Sequence, residues 1–154
     1  MAHIHEKIDY TTDVFIVYKN KVLLRMHEKY NIWLVPGGHI ELDEDPNEAA
    51  LREVKEETGL NVVLWKENKS PVKDDGRVKI LIPPVCMNRH RVGDTHEHIS
   101  LVYFATSSTD EVCPNEGERQ DACKWFTQEE LSNKEIPQNI REYATLALNT
   151  LGEK

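Results

Sequence analysis

Residues 38–60 read GHIELDEDPNEAALREVKEETGL. Asp45-Pro46-Asn47-Glu48 has the form of a helix start, with Asp45 as N-cap and Pro46 at the first helical position, where a missing N–H costs nothing. Glu48 completes a capping box. The helix is expected to run to Thr58, with Gly59 supplying the left-handed C-cap. On that helix Glu53 and Glu57 are one turn apart and Glu56 is three residues from Glu53, so three carboxylates project from one side. Such crowding is destabilising, and near the C-terminal end the helix dipole makes it worse. A hard divalent cation among the oxygens resolves the conflict, since Mg2+ takes carboxylate, carbonyl and water oxygens in octahedral geometry. Arg52, four residues from both Glu48 and Glu56, is placed to orient carboxylates and offset part of the repulsion. A solvated acidic helix face would account for the carboxylates alone. It gives no reason for Gly37, Gly38 and Glu44.

Upstream of this helix, Val14 to Tyr18 and Lys21 to Met26 are β-prone runs separated by Lys19-Asn20, which reads as a tight hairpin. A short strand, Ile32 to Val35, ends at Pro36-Gly37-Gly38, where the backbone can turn sharply or approach a ligand closely. Downstream, Asn61 to Lys66 and Val78 to Ile82 read as strands around a turn-rich loop, Ser70 to Arg77. Arg89 to His98 is polar and is expected to form an exposed loop before the apolar strand Ile99 to Ala105. An acidic loop, Thr109 to Glu118, leads to a last strand, Ala122 to Phe126, and Thr127 to Glu130 opens a short helix with a second capping box. Pro137 precedes a C-terminal helix whose Ile140, Tyr143, Ala144, Ala147, Leu148 and Leu151 fall on one face. Neither repeat nor linker divides the chain, so one domain over residues 1–154 is expected, a mixed sheet with helices on its faces.

The formal net charge of −8 argues against a protein that grips a nucleic-acid polymer through its phosphates. A polyanionic small molecule would need a bound cation to dock. Cys86, Cys113 and Cys123 are odd in number and lack CxxC spacing, so free buried thiols are expected in place of a disulfide framework or a zinc site. The polar start, Met1 to Tyr10, and the short apolar run after it give neither a signal sequence nor a membrane span. A soluble cytoplasmic protein is the expectation.

Gly38, Glu44 and the run Arg52-Glu53-Val54-Lys55-Glu56-Glu57-Thr58-Gly59-Leu60 together resemble the complete Nudix box, with every defining position present over 23 residues. The hairpin, the Trp33 to Gly38 lead-in and the stretch from Trp125-Phe126 to Glu129-Glu130-Leu131 also sit where the family has them. The resemblance implies an α/β/α sandwich with a mixed β-sheet. It also implies Mg2+-dependent hydrolysis, with Mn2+ able to substitute, of a phosphoanhydride bond in a small nucleoside-diphosphate-linked compound. Glu56 and Glu57 resemble the family's principal metal ligands, and Glu53 a third ligand or the general base. The Gly37 carbonyl resembles a further ligand. Arg52 resembles the arginine that fixes a catalytic carboxylate, and Glu44 the box glutamate near the metals.

Outside the box, Glu97 in Thr95-His96-Glu97-His98 stands where some relatives supply a further metal-binding or basic glutamate. His90, His96 and His98 raise the question of zinc, but no fourth ligand occurs at a recognisable spacing, and they are read as surface or substrate-contacting residues, with no weight given to His3 and His5. Arg25, Arg89 and Arg91 are candidate phosphate contacts. Tyr30 and Trp33 could stack on a base, although Trp33 suits core or rim packing as well. Among substrates, a nucleoside triphosphate is preferred over a nucleotide sugar of the ADP-ribose type or a dinucleoside polyphosphate. The reading from another class is a non-catalytic nucleotide sensor, which predicts a damaged box, whereas this box is intact. Dimers occur in the family, and a homodimer is compatible with the chain.

Overall fold

The structure is a computed structural model and describes residues 6–67, 70–119 and 122–153. His3 and His5 lie outside the described residues. The spine is a pair of long parallel strands, β1 (Ile8–Tyr18) and β7 (Glu97–Ser107), in register from Ile8 with Glu97 to Val17 with Thr106. Each of these strands shares its free edge between two shorter partners. Along β1, β4 (Gly37–His39) pairs with Thr11 to Asp13, and β2 (Lys21–His27) pairs with Val17 and Tyr18. Along β7, β6 (Cys86–Arg91) pairs with Glu97 to Val102, and β5 (Val62–Leu64) with Ala105 to Ser107. The short strand β3 (Ile32–Leu34) and β8 (Cys123–Phe126) flank β2, and every pairing except β1–β7 is antiparallel.

Strand alternation divides the core between the two faces. Val14, Ile16, Tyr103 and Ala105 pack on one side with Ala50 and Val54 of α1 (Pro46–Thr58). Phe15, Val17, Val102 and Phe104 pack on the other with Ile140, Ala144, Ala147 and Leu148 of α2 (Gln138–Leu151). The expected α/β/α sandwich is what forms. Helix α1 has both of its expected caps: the Glu48 amide donates to Asp45 Oδ1, and the Asp45 amide to Glu48 Oε2, each at 2.9 Å. Gly59 sits at φ 74°, with the Cys113 carbonyl where a side chain would begin, so only glycine fits there.

Four expectations are corrected. Val78 to Ile82 forms no strand. The Ile82 amide donates to Asn47 Oδ1 and Asn47 Nδ2 to the Ile82 carbonyl, so a helix side chain takes the bonds that a neighbouring strand would. Pro83 and Pro84 follow, with no N–H to extend a ladder. Residues 89–91 and 97–98 are not loop but the two arms of the β6–β7 hairpin, joined across residues 92–96. Polar side chains hid this strand because it is an outer one, with little of its surface in the core. The cysteines are free, but Cys113 is exposed and the other two are half-buried. The second capping box forms, with the Thr127 amide on Glu130 Oε2, yet it opens only a single 3-10 turn, Glu130–Ser132.

Candidate active site

Along β1 and β7 the face that carries α2 changes character. Phe15, Val17, Val102 and Phe104 are apolar beneath the helix, whereas Asp9, Thr11 and Asp13 on β1 and His98 and Ser100 on β7 continue the same face toward the other end of the sheet. Together with Asn88 and His90 of β6, Thr11, Asp13, His98 and Ser100 line a cleft of about 650 Å³, of the size that holds small-molecule ligands. Arg25, Tyr30, Gly37, Gly38, His39, Glu57 and Arg91 line it as well.

The box meets this cleft through β4. Strand β4 bonds to β1 along one edge and presents the other to α1. On that second edge the Gly37 amide donates to Glu57 Oε1 at 2.9 Å, and the His39 carbonyl accepts from Arg52 Nη2 at 3.0 Å. Because N–H and C=O of one strand residue point the same way, the Gly37 carbonyl lies on this edge too, facing α1. The two glycines are set by close approach. A side chain on Gly37 would strike the Thr12 carbonyl, and one on Gly38 would lie 2.5 Å from Glu53 Cδ and Oε1.

Arg52 organises the carboxylates. Its Nε and Nη2 hold both oxygens of Glu44, at 3.0 and 2.7 Å, while Nη1 reaches Glu53 Oε1 at 2.8 Å and Glu56 Oε2 at 3.3 Å. With the His39 carbonyl, these contacts use all five donors of the guanidinium. Hydrogen bonding to Glu44, and the nearby Glu53 charge, raise the Arg52 pKa further, and the same bond holds Glu44 below the usual carboxylate range. Glu53 is only 5 % exposed, and burial pushes its pKa up, against the pull of Arg52. Glu57 forms an ion pair with Arg25, whose other nitrogen reaches Glu118 at 2.6 Å. Glu56 is more exposed than Glu53 or Glu57.

A hard divalent ion fits this donor set. Four carboxylates, Glu44, Glu53, Glu56 and Glu57, face two guanidinium groups, and the donors are all oxygen. Glu53, Glu56 and Glu57 with the Gly37 carbonyl would hold the ion, and Glu57 would exchange Arg25 for it.

Several sequence-based assignments fall elsewhere. Glu97 does not join the box: it stands at the outer end of β7, where Arg89 Nε donates at 2.9 Å and Nη2 makes a second, closer contact. Those bonds hold its carboxyl below the usual range. Arg89 is thereby engaged by Glu97 and, unlike Arg25 and Arg91, does not line the cleft. Trp33 also lies outside the cleft lining. It packs edge-on against Phe126, ring centroids 4.9 Å apart, because its position on β3 turns it toward the α2-side core. The sequence reading missed Asp13, which burial pushes above the usual aspartate range while Ser100 counteracts the shift. It also missed Asp9 and His39. The available signal was the alternation of polar residues 9, 11 and 13 ahead of Phe15 and Val17.

A family model for the NUDIX domain matches residues 8–147. The solved structure of a NUDIX-family hydrolase from Clostridium perfringens superimposes with a TM-score of 0.83 at 41% identity, over 93% of this chain and 97% of that one. An ADP-ribose pyrophosphatase from Streptococcus suis has the same fold at 20% identity, with a TM-score of 0.63 over 95% of this chain and 93% of its own. The m7GpppN-mRNA hydrolase NUDT17 of Xenopus laevis is 32% identical over 127 residues, 71% of this chain and 38% of its own length. The matched region therefore spans well under half of that relative. With the family match running nearly end to end and the box geometry in place, the chain belongs to the NUDIX domain family of hydrolases.

Proposed function

We propose that the chain hydrolyses a phosphoanhydride bond in a small nucleoside-diphosphate-linked compound, a nucleoside triphosphate first among them, with Mg2+ as the cofactor and Mn2+ as a substitute. The observation that carries this reading is the Arg52-centred carboxylate array, opening through Glu57 and Gly37 onto a polar cleft. When bound, the metal would activate water and offset the charge of the phosphate oxygens. The protein's own part is mainly positioning. Arg52 fixes Glu44, Glu53 and Glu56 in one geometry, and Gly38 leaves room for Glu53 beside β4. Glu53 serves as ligand or as the base that takes the proton from water. Arg25 and Arg91 supply forked donors suited to phosphate oxygens within the cleft.

The likeness to an m7GpppN-mRNA hydrolase supports a second substrate class, a dinucleotide joined through a phosphate chain. Phosphate and pyrophosphate release from a panel of nucleoside triphosphates, nucleotide sugars and dinucleoside polyphosphates, with Mg2+ or with chelator, tests the proposal. Metal-dependent turnover of a triphosphate supports the first reading, and preference for a capped dinucleotide the second. Tight binding of one compound without turnover of any would mean a sensor and refute both.

A further inference from the structure

We propose that Asp9, His39 and His98 form a second metal site, separate from the box carboxylates, that takes a transition-metal dication of the Zn2+ type. These residues are 30 and 59 positions apart in the chain, so no sequence spacing announces them. The sheet brings them together: Asp9 and His98 are register partners on β1 and β7, and His39 of β4 pairs with Thr11, the next residue on that face of β1. One donor atom from each lies within 4.8 Å of the other two. His39 Nε2 is 3.3 Å from Asp9 Oδ2, and the His39 and His98 rings meet edge-on with centroids 4.9 Å apart.

These separations suit a small ion. For ligand bonds of 2.0–2.1 Å, adjacent donors of a tetrahedral zinc site stand about 3.3 Å apart. Two imidazoles and one carboxylate form a set that favours Zn2+ over Mg2+ and leaves a position open. Asp9 is 1 % exposed, and a carboxylate this buried requires a compensating cation or hydrogen bonds. His96 is a further neighbour of Asp9 among the described residues. Its Nδ1 lies 3.1 Å from the Glu6 carbonyl, which can only accept, so Nδ1 carries the hydrogen and Nε2 faces Asp9 Oδ2 at 3.2 Å. His96 stays outside the three-donor set and borders Asp9, with the Glu6 carbonyl orienting its ring, so the fourth position is left to water or a ligand.

The test is titration of the metal-stripped full chain with Co2+ in a large excess of Mg2+, followed by visible absorption. The expected result is one equivalent bound, with the strong bands of four-coordinate nitrogen and oxygen ligation, displaced by Zn2+. Asp9→Asn, His39→Gln and His98→Gln should each weaken binding about tenfold or more. A Glu56→Gln, Glu57→Gln double variant should bind Co2+ as the wild type does. Loss of binding in that double variant alone would overturn the proposal by assigning the ion to the box. Displacement of Co2+ by Mg2+ from the wild type, which needs no variant to fold, would overturn it equally.

Discussion

Replacing Gly38 by alanine is the sharpest test of how the site is assembled. The added carbon would lie 2.5 Å from Glu53 Cδ and Oε1 and 2.9 Å from Oε2, where ordinary contact begins at 3.4 Å. Because the obstacle is the end of a side chain and not backbone, the sheet can persist while the carboxylate withdraws by about 0.9 Å, a displacement of the order that costs about 100-fold in rate when it misplaces a reacting group. Withdrawal stretches the 2.8 Å bond from Arg52 Nη1, and a hydrogen bond to a charged group contributes about 1.5–3 kcal/mol. Gly38→Ala should therefore lose about 2 kcal/mol of stability in urea unfolding and about 100-fold in kcat, with substrate binding much less affected. Wild-type kcat together with a wild-type unfolding midpoint would show that Glu53 does not depend on the space beside Gly38.

Three further outcomes follow from the same contacts. Arg52→Lys retains the charge but lacks the fork that grips Glu44, and urea unfolding should show a loss of about 2 kcal/mol, whereas a midpoint equal to wild type would remove Arg52 from the centre of the array. Glu97→Gln should leave the pH–rate profile unchanged, since Glu97 is bound to Arg89 away from the box; a shifted profile would return it to the mechanism. Burial raises the Asp13 pKa in the folded state, so ionised Asp13 costs stability above that pKa, and the cost disappears below the unfolded value. Asp13→Asn should accordingly raise Tm at pH 7 and lose that advantage as the pH falls below the unfolded aspartate value, about 3.9; a lower Tm at pH 7 would contradict this.

The α1 segment was legible because its signals are local. A helix cap, a proline at the first turn and a C-terminal glycine act within a few residues, and each forms as expected. Glu53 and Glu56 share one helix with Arg52, so their convergence on it could be anticipated from spacing. Glu44 required a loop to return to the helix and could be placed only by resemblance. The cleft was not legible, since it arises from the pairing of β1 with β7, nearly ninety residues apart. His98 was read with its chain neighbours His90 and His96, while its partners Asp9 and His39 come from other strands. Trp33 and Glu97 were misplaced for a related reason: residue type suggested a ligand role, but strand pairing set Trp33 against Phe126 and Glu97 against Arg89.

The central claim is that the box carboxylates, with a divalent metal, break a phosphoanhydride bond. It is tested most directly by following hydrolysis of the best substrate of the panel with wild type and Glu57→Gln, each with Mg2+ and with chelator. The substituted amide can still accept the Gly37 N–H through its oxygen but cannot serve as an anionic ligand, so the fold should hold. The expected result is Mg2+-dependent turnover by the wild type, none with chelator, and a loss of about 100-fold or more in the folded variant. Turnover that survives chelation, or a Glu57→Gln rate equal to wild type, would contradict it.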